Sequence, residues 1–208
     1  MIVKRYVLGM CQTNCYLVAD ENTKECAIID PGTVSEKLEN DIDSNDYTVK
    51  YIVFTHGHFD HIGGLEYYMS KYEKSAVSMH KDDVFCILEE YDVFKVNMED
   101  KEKTVKKIAL HDEGDSLPLG DKFLKILHTP GHTKGGVCIY TDGMLFSGDT
   151  LFEHSIGRTD FICGDFNELK SSIKDKLYKL PDNTVVYPGH GYTTTILEEK
   201  IGNPYVRA

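Results

Sequence analysis

Thr55-His56-Gly57-His58-Phe59-Asp60-His61 sets the reading of the whole chain. Three imidazoles and one carboxylate fall within six residues, 56–61. Before them runs Val49-Lys50-Tyr51-Ile52-Val53-Phe54, apolar and β-branched, which predicts a buried strand. After them the apolar spacing from Ile62 predicts a helix over 62–72. The stretch therefore lies on a strand-to-helix turn, where a rigid scaffold meets an open pocket. Gly57 carries no Cβ and lets the backbone bend so that two histidines face one point. Imidazole and carboxylate together suit zinc, iron or manganese. One histidine on a polar loop would carry no such message; His-x-His-x-Asp-His does.

A single turn cannot close a metal site, and three later stretches share its grammar. Thr129-Pro130-Gly131-His132-Thr133 follows the strand-like Phe123–Leu127. Phe146-Ser147-Gly148-Asp149-Thr150 follows a short apolar run, and Tyr187-Pro188-Gly189-His190-Gly191 follows Val185-Val186. Each is an apolar run, then a glycine-bearing turn, then one histidine or aspartate. That is the pattern of a site built at strand ends.

The set His56, His58, Asp60, His61, His132, Asp149 and His190 resembles the metallo-β-lactamase superfamily, and within it the glyoxalase II group, the hydroxyacylglutathione hydrolases. The likeness also takes in Asn14–Val18, Asp30-Pro31-Gly32, Gly157-Arg158-Thr159-Asp160 and Asn203-Pro204. It implies an α/β (α+β) fold, the four-layer αββα sandwich of that superfamily. It implies two divalent ions, zinc first, with iron or manganese as alternatives. His56, His58 and His132 would hold one ion and Asp60, His61 and His190 the other, with Asp149 bridging. The implied catalytic groups are Asp60, Asp149 and a metal-bridging hydroxide, because bound water ionises near pH ~7 rather than about 15.7. The implied substrate is a small anionic thioester such as S-lactoylglutathione. Arg158 matches a basic residue that grips the thiol part of the substrate, and a guanidinium suits a carboxylate. The other reading of Arg158 is an ion pair with Asp160 or Asp165 that fixes a loop. His80 stands at a predicted strand end and is a second candidate for bordering the substrate pocket. Thr55, Thr133 and Thr150 stand beside ligands as supporting partners. Longer glyoxalase II enzymes carry a further helical domain with more glutathione contacts. This chain runs only to Ala208, which leaves a looser thiol site or a different thiol.

The 208 residues suffice for one well-buried domain, expected over 1–208. A net charge of -11 argues against nucleic acid, whose phosphates demand a basic footprint. No run reaches membrane-spanning length, and Met1–Met10 does not read as a signal peptide. Six cysteines without a CxxC pair fit a reduced, cytoplasmic protein without structural disulfides. The oligomeric state has no signature.

Strands are expected over 2–9, 14–20, 25–30, 76–79 and 184–187, and through most of 108–147. Helices are expected over 35–43, from Asp82 or Asp83 to about Glu90, and over 166–179 and 193–201. The charge run Glu99–Lys103 reads as a solvated loop or helix face within an otherwise illegible 91–107. Two other activities share the ligand pattern. A persulfide dioxygenase would use one iron on His56, His132 and Asp149; a lactone hydrolase would use both ions. Ribonuclease relatives fit poorly, because the chain is acidic and lacks a basic arm.

Overall fold

In Thr13–Ala19, Tyr16 and Val18 face one way and Cys15, Leu17 and Ala19 the other, and all five are buried. A strand covered on both faces belongs to a sheet with material above and below it. The computed structural model describes residues 1–88 and 100–207. Its first sheet runs in spatial order β1 (Ile2–Leu8), β2 (Thr13–Ala19), β3 (Glu25–Ile29), β4 (Thr48–Val53), β5 (Ala76–His80), β6 (Ala109–His111). The first three strands are antiparallel; β3 to β6 are parallel neighbours.

The second sheet contains β7 (Ser116–Leu119), β8 (Lys122–His128), β9 (Val137–Thr141) and β10 (Met144–Gly148). A two-strand ribbon follows, β11 (Leu151–Phe152) with β12 (Ser155–Ile156). Then β13 (Val185–Pro188) joins β10 in parallel, and β14 (Thr194–Thr195) closes that edge.

Three apolar layers follow from the strand alternation. Tyr16, Val18, Ile29 and Val53 of the first sheet meet Leu124, Ile126, Ile139 and Phe146 of the second. Leu17, Ile28 and Ile52, on the opposite face, meet helices α1 (Glu36–Ser44) and, after the short α2 (Phe59–Ile62), α3 (Leu65–Lys71) through Leu38, Ile42, Leu65 and Tyr68. Two further short helices, α4 (Val84–Leu88) and α5 (Lys101–Val105), precede β6. Cys138, Leu145 and Val186 on the outer face of the second sheet meet α6 (Phe166–Asp175) and α7 (Ile196–Gly202) through Leu169, Ile173 and Ile196. The result is the expected αββα sandwich. Each large side chain buried in these layers contributes about 1.5–3 kcal/mol.

Capping agrees with the sequence. Ser35 Oγ accepts from Leu38 N at 3.3 Å at the start of α1, and Asp165 accepts from Asn167 N and Glu168 N at the start of α6. The helix expected over 62–72 is corrected: it begins at Phe59 and breaks at Gly63-Gly64, where the chain packs directly against the backbone of Pro31-Gly32. The expected helix from Asp82 or Asp83 is a 3-10 turn, Lys81–Asp83, leading into α4; its extension to Glu90, and most of the illegible 91–107, lie outside the described residues. The charge run ends in a helix, α5, capped by Asp100. None of the described cysteines 11, 15, 26, 138 and 163 is in a disulfide. No described helix is long and apolar enough to cross a membrane.

Candidate metal centre

Four strand ends deliver the candidate ligands to the seam between the sheets. His56 and His58 leave the end of β4, His132 follows β8, Asp149 follows β10, and His190 follows β13. Asp60 and His61 lie on α2. Gly189, between β13 and His190, has no room for a Cβ, which would collide with Asp149 Oδ1 and the His61 ring. Gly148 has φ +48 and faces Thr55 so closely that a side chain there would clash.

All seven residues come together. Ligand atoms of His56, His58 and His132 lie within 4.8 Å of one another; so do those of His56, His61 and Asp149, and those of Asp60, His61 and His190. His132 Nε2 stands 2.9 Å from His58 Nδ1. Asp149 faces both groups: its Oδ1 is 3.4 Å from His61 Nε2, and its Oδ2 is 3.6 Å from His132 Nε2 and 3.5 Å from His190 Nε2.

Supporting contacts set which nitrogen faces inward. His61 Nδ1 donates to Asp30 Oδ2 at 2.9 Å, and His132 Nδ1 donates to the Arg158 carbonyl at 2.7 Å. His56 Nδ1 lies 3.1 Å from Thr55 Oγ1, which donates to Asp30 Oδ2 at 2.6 Å. Each of these rings thus turns Nε2 to the centre. Thr13 Oγ1 donates to Asp60 Oδ2 at 2.7 Å.

His56 Nε2, His61 Nε2 and Asp149 Oδ1 are buried and have no hydrogen-bond partner. Buried polar atoms without partners are costly. Three of them aimed at one point, amid further imidazoles and a carboxylate, fit divalent metal. Electrostatics divide the rings. Burial, and then the neighbouring imidazoles, push the His56 pKa well below its usual value and that of His58 down to about 3. Burial opposes but does not prevent a rise at His61, beside Asp149 and Asp30, and at His190, beside Asp60 and Asp149. Neutral rings are the ligating form, so metal entering this centre displaces protons from those two. Burial would raise the Asp149 pKa, but His61, His132 and His190 outweigh it and hold it at about 2; Asp60 is likewise depressed, chiefly through His190 and His61. Both carboxylates are therefore anionic.

Of the other two site candidates, His80 differs from expectation and Arg158 meets both of its readings. His80 does not line the cavity beside this centre. It is fully buried at the end of β5, stacked on His128 with ring centroids 4.1 Å apart and with Nε2 3.3 Å from Asp112 Oδ1. The strand-end position was the available signal; here the side chain stacks on the end of β8 instead of facing the cavity. Arg158 does line the cavity, but its guanidinium pairs with Asp160 through two hydrogen bonds of 2.9 and 2.8 Å.

Sequence reasoning missed Asp83 as a site residue. Its buried carboxylate accepts from Gly57 N at 2.9 Å, Thr133 Oγ1 at 2.7 Å and Gly135 N at 2.6 Å, tying the His56–His58 turn to the His132 turn. An acidic residue right after a buried strand was the available signal. Asp30 was visible only as part of a turn, and it anchors Thr55 and His61.

An αββα sandwich with imidazoles and carboxylates gathered at its strand ends defines a metal-dependent enzyme scaffold. The chain belongs to the metallo-beta-lactamase superfamily, whose family model matches residues 8–190. It is 36% identical over 201 residues to the hydroxyacylglutathione hydrolase GloC of Haemophilus influenzae, covering 95% of this chain and 94% of that one. Among solved structures it is similar to the BLEG-1 B3 metallo-beta-lactamase (34% identity, TM-score 0.82, 100% of both chains). It is also similar to ETHE1 of Myxococcus xanthus (29%, TM-score 0.79, 98% of this chain and 84% of that one) and to TTHA1623, crystallised in a di-iron-bound form (31%, TM-score 0.80, 98% and 100%). The superfamily binds divalent metal, and the donor set of this chain suits it.

Proposed function

We propose that the chain is a dinuclear metal-dependent hydrolase of thioesters. The observation that carries the reading is the convergence of seven ligand side chains with three unpartnered buried donor atoms among them. The near full-length likeness to a hydroxyacylglutathione hydrolase supports the thioester. His56, His58 and His132 would hold one ion, Asp60, His61 and His190 the second, and Asp149 would stand between them. Zinc suits these ligands, and iron is the second choice, in line with the di-iron relative. Two such ions lower the pKa of water toward neutrality and polarise a carbonyl oxygen. The residues of the chain do the rest. Asp30, Thr55 and the Arg158 carbonyl hold the rings in one tautomer. Asp60 lines the cavity as an ionised carboxylate, held by the Thr13 hydroxyl. The cavity, about 720 Å³, admits an acyl group and a leaving thiolate.

The second reading is a one-iron persulfide dioxygenase on His56, His132 and Asp149, which the likeness to ETHE1 fits. Metal counting and an oxygen electrode separate the two. We expect two ions per chain and thioester cleavage without oxygen. Asp149→Ala lowers bound metal and removes activity by several orders of magnitude, and His190→Ala takes one ion and most of the hydrolysis. One iron per chain, oxygen uptake with glutathione persulfide and no thioester cleavage would defeat the hydrolase reading.

A further inference from the structure

The wall of the cavity beside the metal centre is apolar. Phe59, Phe85, Phe152, Ile156, Phe161 and Ile162 line it. Phe161 and Ile162 are 42% and 64% exposed, so the mouth presents bare hydrocarbon to water. Covering such a surface with an apolar ligand is favourable in proportion to the area removed from water.

Apart from the proposed ions, the cavity's own side chains offer little to an anionic thiol. Among the described lining residues, Arg158 alone carries a permanent positive charge, and Asp160 already takes it up in a two-point ion pair. Both partners are about two-thirds exposed, at 67% and 68%. Asp160 occupies Nε and Nη2, so a substrate carboxylate is left with the far side of the guanidinium and must share its charge with Asp160. The chain as a whole is at -11, which disfavours a second anion.

The same guanidinium has another neighbour. Its carbon lies 4.3 Å from the centroid of the Phe161 ring. Phe161 in turn stands over the candidate ligands, 5.4 Å from His58 and 6.1 Å from His132, near edge-on to both. The Arg158–Asp160 pair thus fixes an aromatic wall next to the reacting centre. Arg158 here braces a neighbouring side chain, and Phe161 faces the cavity.

We propose, resting on the thioesterase reading above, that the site takes thioesters whose acyl and thiol parts are uncharged and largely apolar, and that the pairing of Arg158 with Asp160 and Phe161 sets this preference. Glutathione conjugates are then poor substrates. The bond cleaved remains the acyl–sulfur bond: water adds to the carbonyl carbon, the thiolate leaves, and the acid and thiol are the products.

The test compares kcat/KM of the metal-loaded enzyme for a neutral aryl-acyl thioester of N-acetylcysteamine and for S-lactoylglutathione, in the wild type, Phe161→Ala, Asp160→Asn and Arg158→Ala. We expect the wild type to favour the neutral aryl thioester at least tenfold. Phe161→Ala loses roughly tenfold on that substrate, mostly in KM, and little on S-lactoylglutathione. Asp160→Asn, which frees the guanidinium without changing side-chain shape, raises kcat/KM for S-lactoylglutathione and lowers it for the aryl thioester. Arg158→Ala weakens the aryl thioester, which a carboxylate grip would leave untouched. A wild type that favours S-lactoylglutathione, with Arg158→Ala harming that substrate alone, overturns the proposal. Binding of two uncleavable thioethers keeps this outcome separate from the fate of the thioesterase reading. Tighter binding of neutral S-benzyl-N-acetylcysteamine than of S-benzylglutathione, lost in Phe161→Ala, supports the apolar site even if neither thioester is cleaved. The opposite order refutes it even if both are.

Discussion

Asp83 shows how much one residue away from the metals can control. It is buried, burial raises its pKa, and its three donors oppose that rise. Gly57 N, Thr133 Oγ1 and Gly135 N all lose their acceptor in Asp83→Ala. Each buried donor left unpaired costs about 1–3 kcal/mol. We expect Asp83→Ala to lower the stability of the metal-free protein by at least about 3 kcal/mol, read by urea unfolding. It should also shed metal to a chelator faster than wild type, because the His56–His58 and His132 turns lose their common anchor. Asp83→Asn keeps an acceptor but replaces the other oxygen with a donor, and should fall between the two. An Asp83→Ala protein of wild-type stability would show that the turns are held by something else.

At the scale of the element, the β5–β6 edge carries a pH dependence of its own. His111 on β6 is buried, with Nδ1 2.5 Å from Ser78 Oγ on β5. Burial, assisted by His80, lowers its pKa to about 4. In the unfolded chain a histidine titrates near ~6.5. Between these values the unfolded state binds a proton that the native state refuses. Stability is therefore complete above pH ~6.5 and falls as the pH drops toward about 4, by up to about 3 kcal/mol. Metal-free wild type and His111→Asn, unfolded in urea at several pH values across that window, should differ in slope, with the variant flatter. Equal slopes would remove His111 as the cause. The elements were the legible part of the sequence. The β4 strand, the ligand turn and the helices α1 and α6 followed from apolar composition and spacing; their caps were seen only in the structure. Boundaries failed where tertiary contact decides, as at Gly63-Gly64, which pack on the backbone of Gly32 and Pro31, far earlier in the chain. Seven candidate ligands could be named because each lies at or just beyond a glycine-bearing turn that follows a strand. Side-chain direction could not: His80 also ends a strand and turns away, and the partner of Arg158 was one of two readings until its geometry was known.

At the scale of the whole molecule, the site depends on two sheets staying in register. Phe146 of the second sheet packs on Tyr16 of the first and on Tyr187, with both centroid distances 5.2 Å. Tyr16 Oη and Asn14 Nδ2 both donate to the Pro188 carbonyl, at 2.6 and 2.9 Å, two residues before His190. Phe146→Ala removes the ring between them and should cost about 3–5 kcal/mol. Metal retention should fall with it, since Asp149 and His190 leave the strands that this ring braces; circular dichroism melts and metal analysis of the same samples would test the link. Loss of stability with unchanged metal retention would uncouple the layers from the centre. The four strand ends that meet at the seam have one more consequence on the proposed reading. Ions bound there join segments more than a hundred residues apart, so their binding energy adds to folding energy. Scarcity of metal then removes the protein and not only its turnover, because the apo chain opens more often and proteases act on open chains. Cellular abundance of this enzyme would track the supply of its ion, and a pulse-chase under chelation would show a shortened half-life.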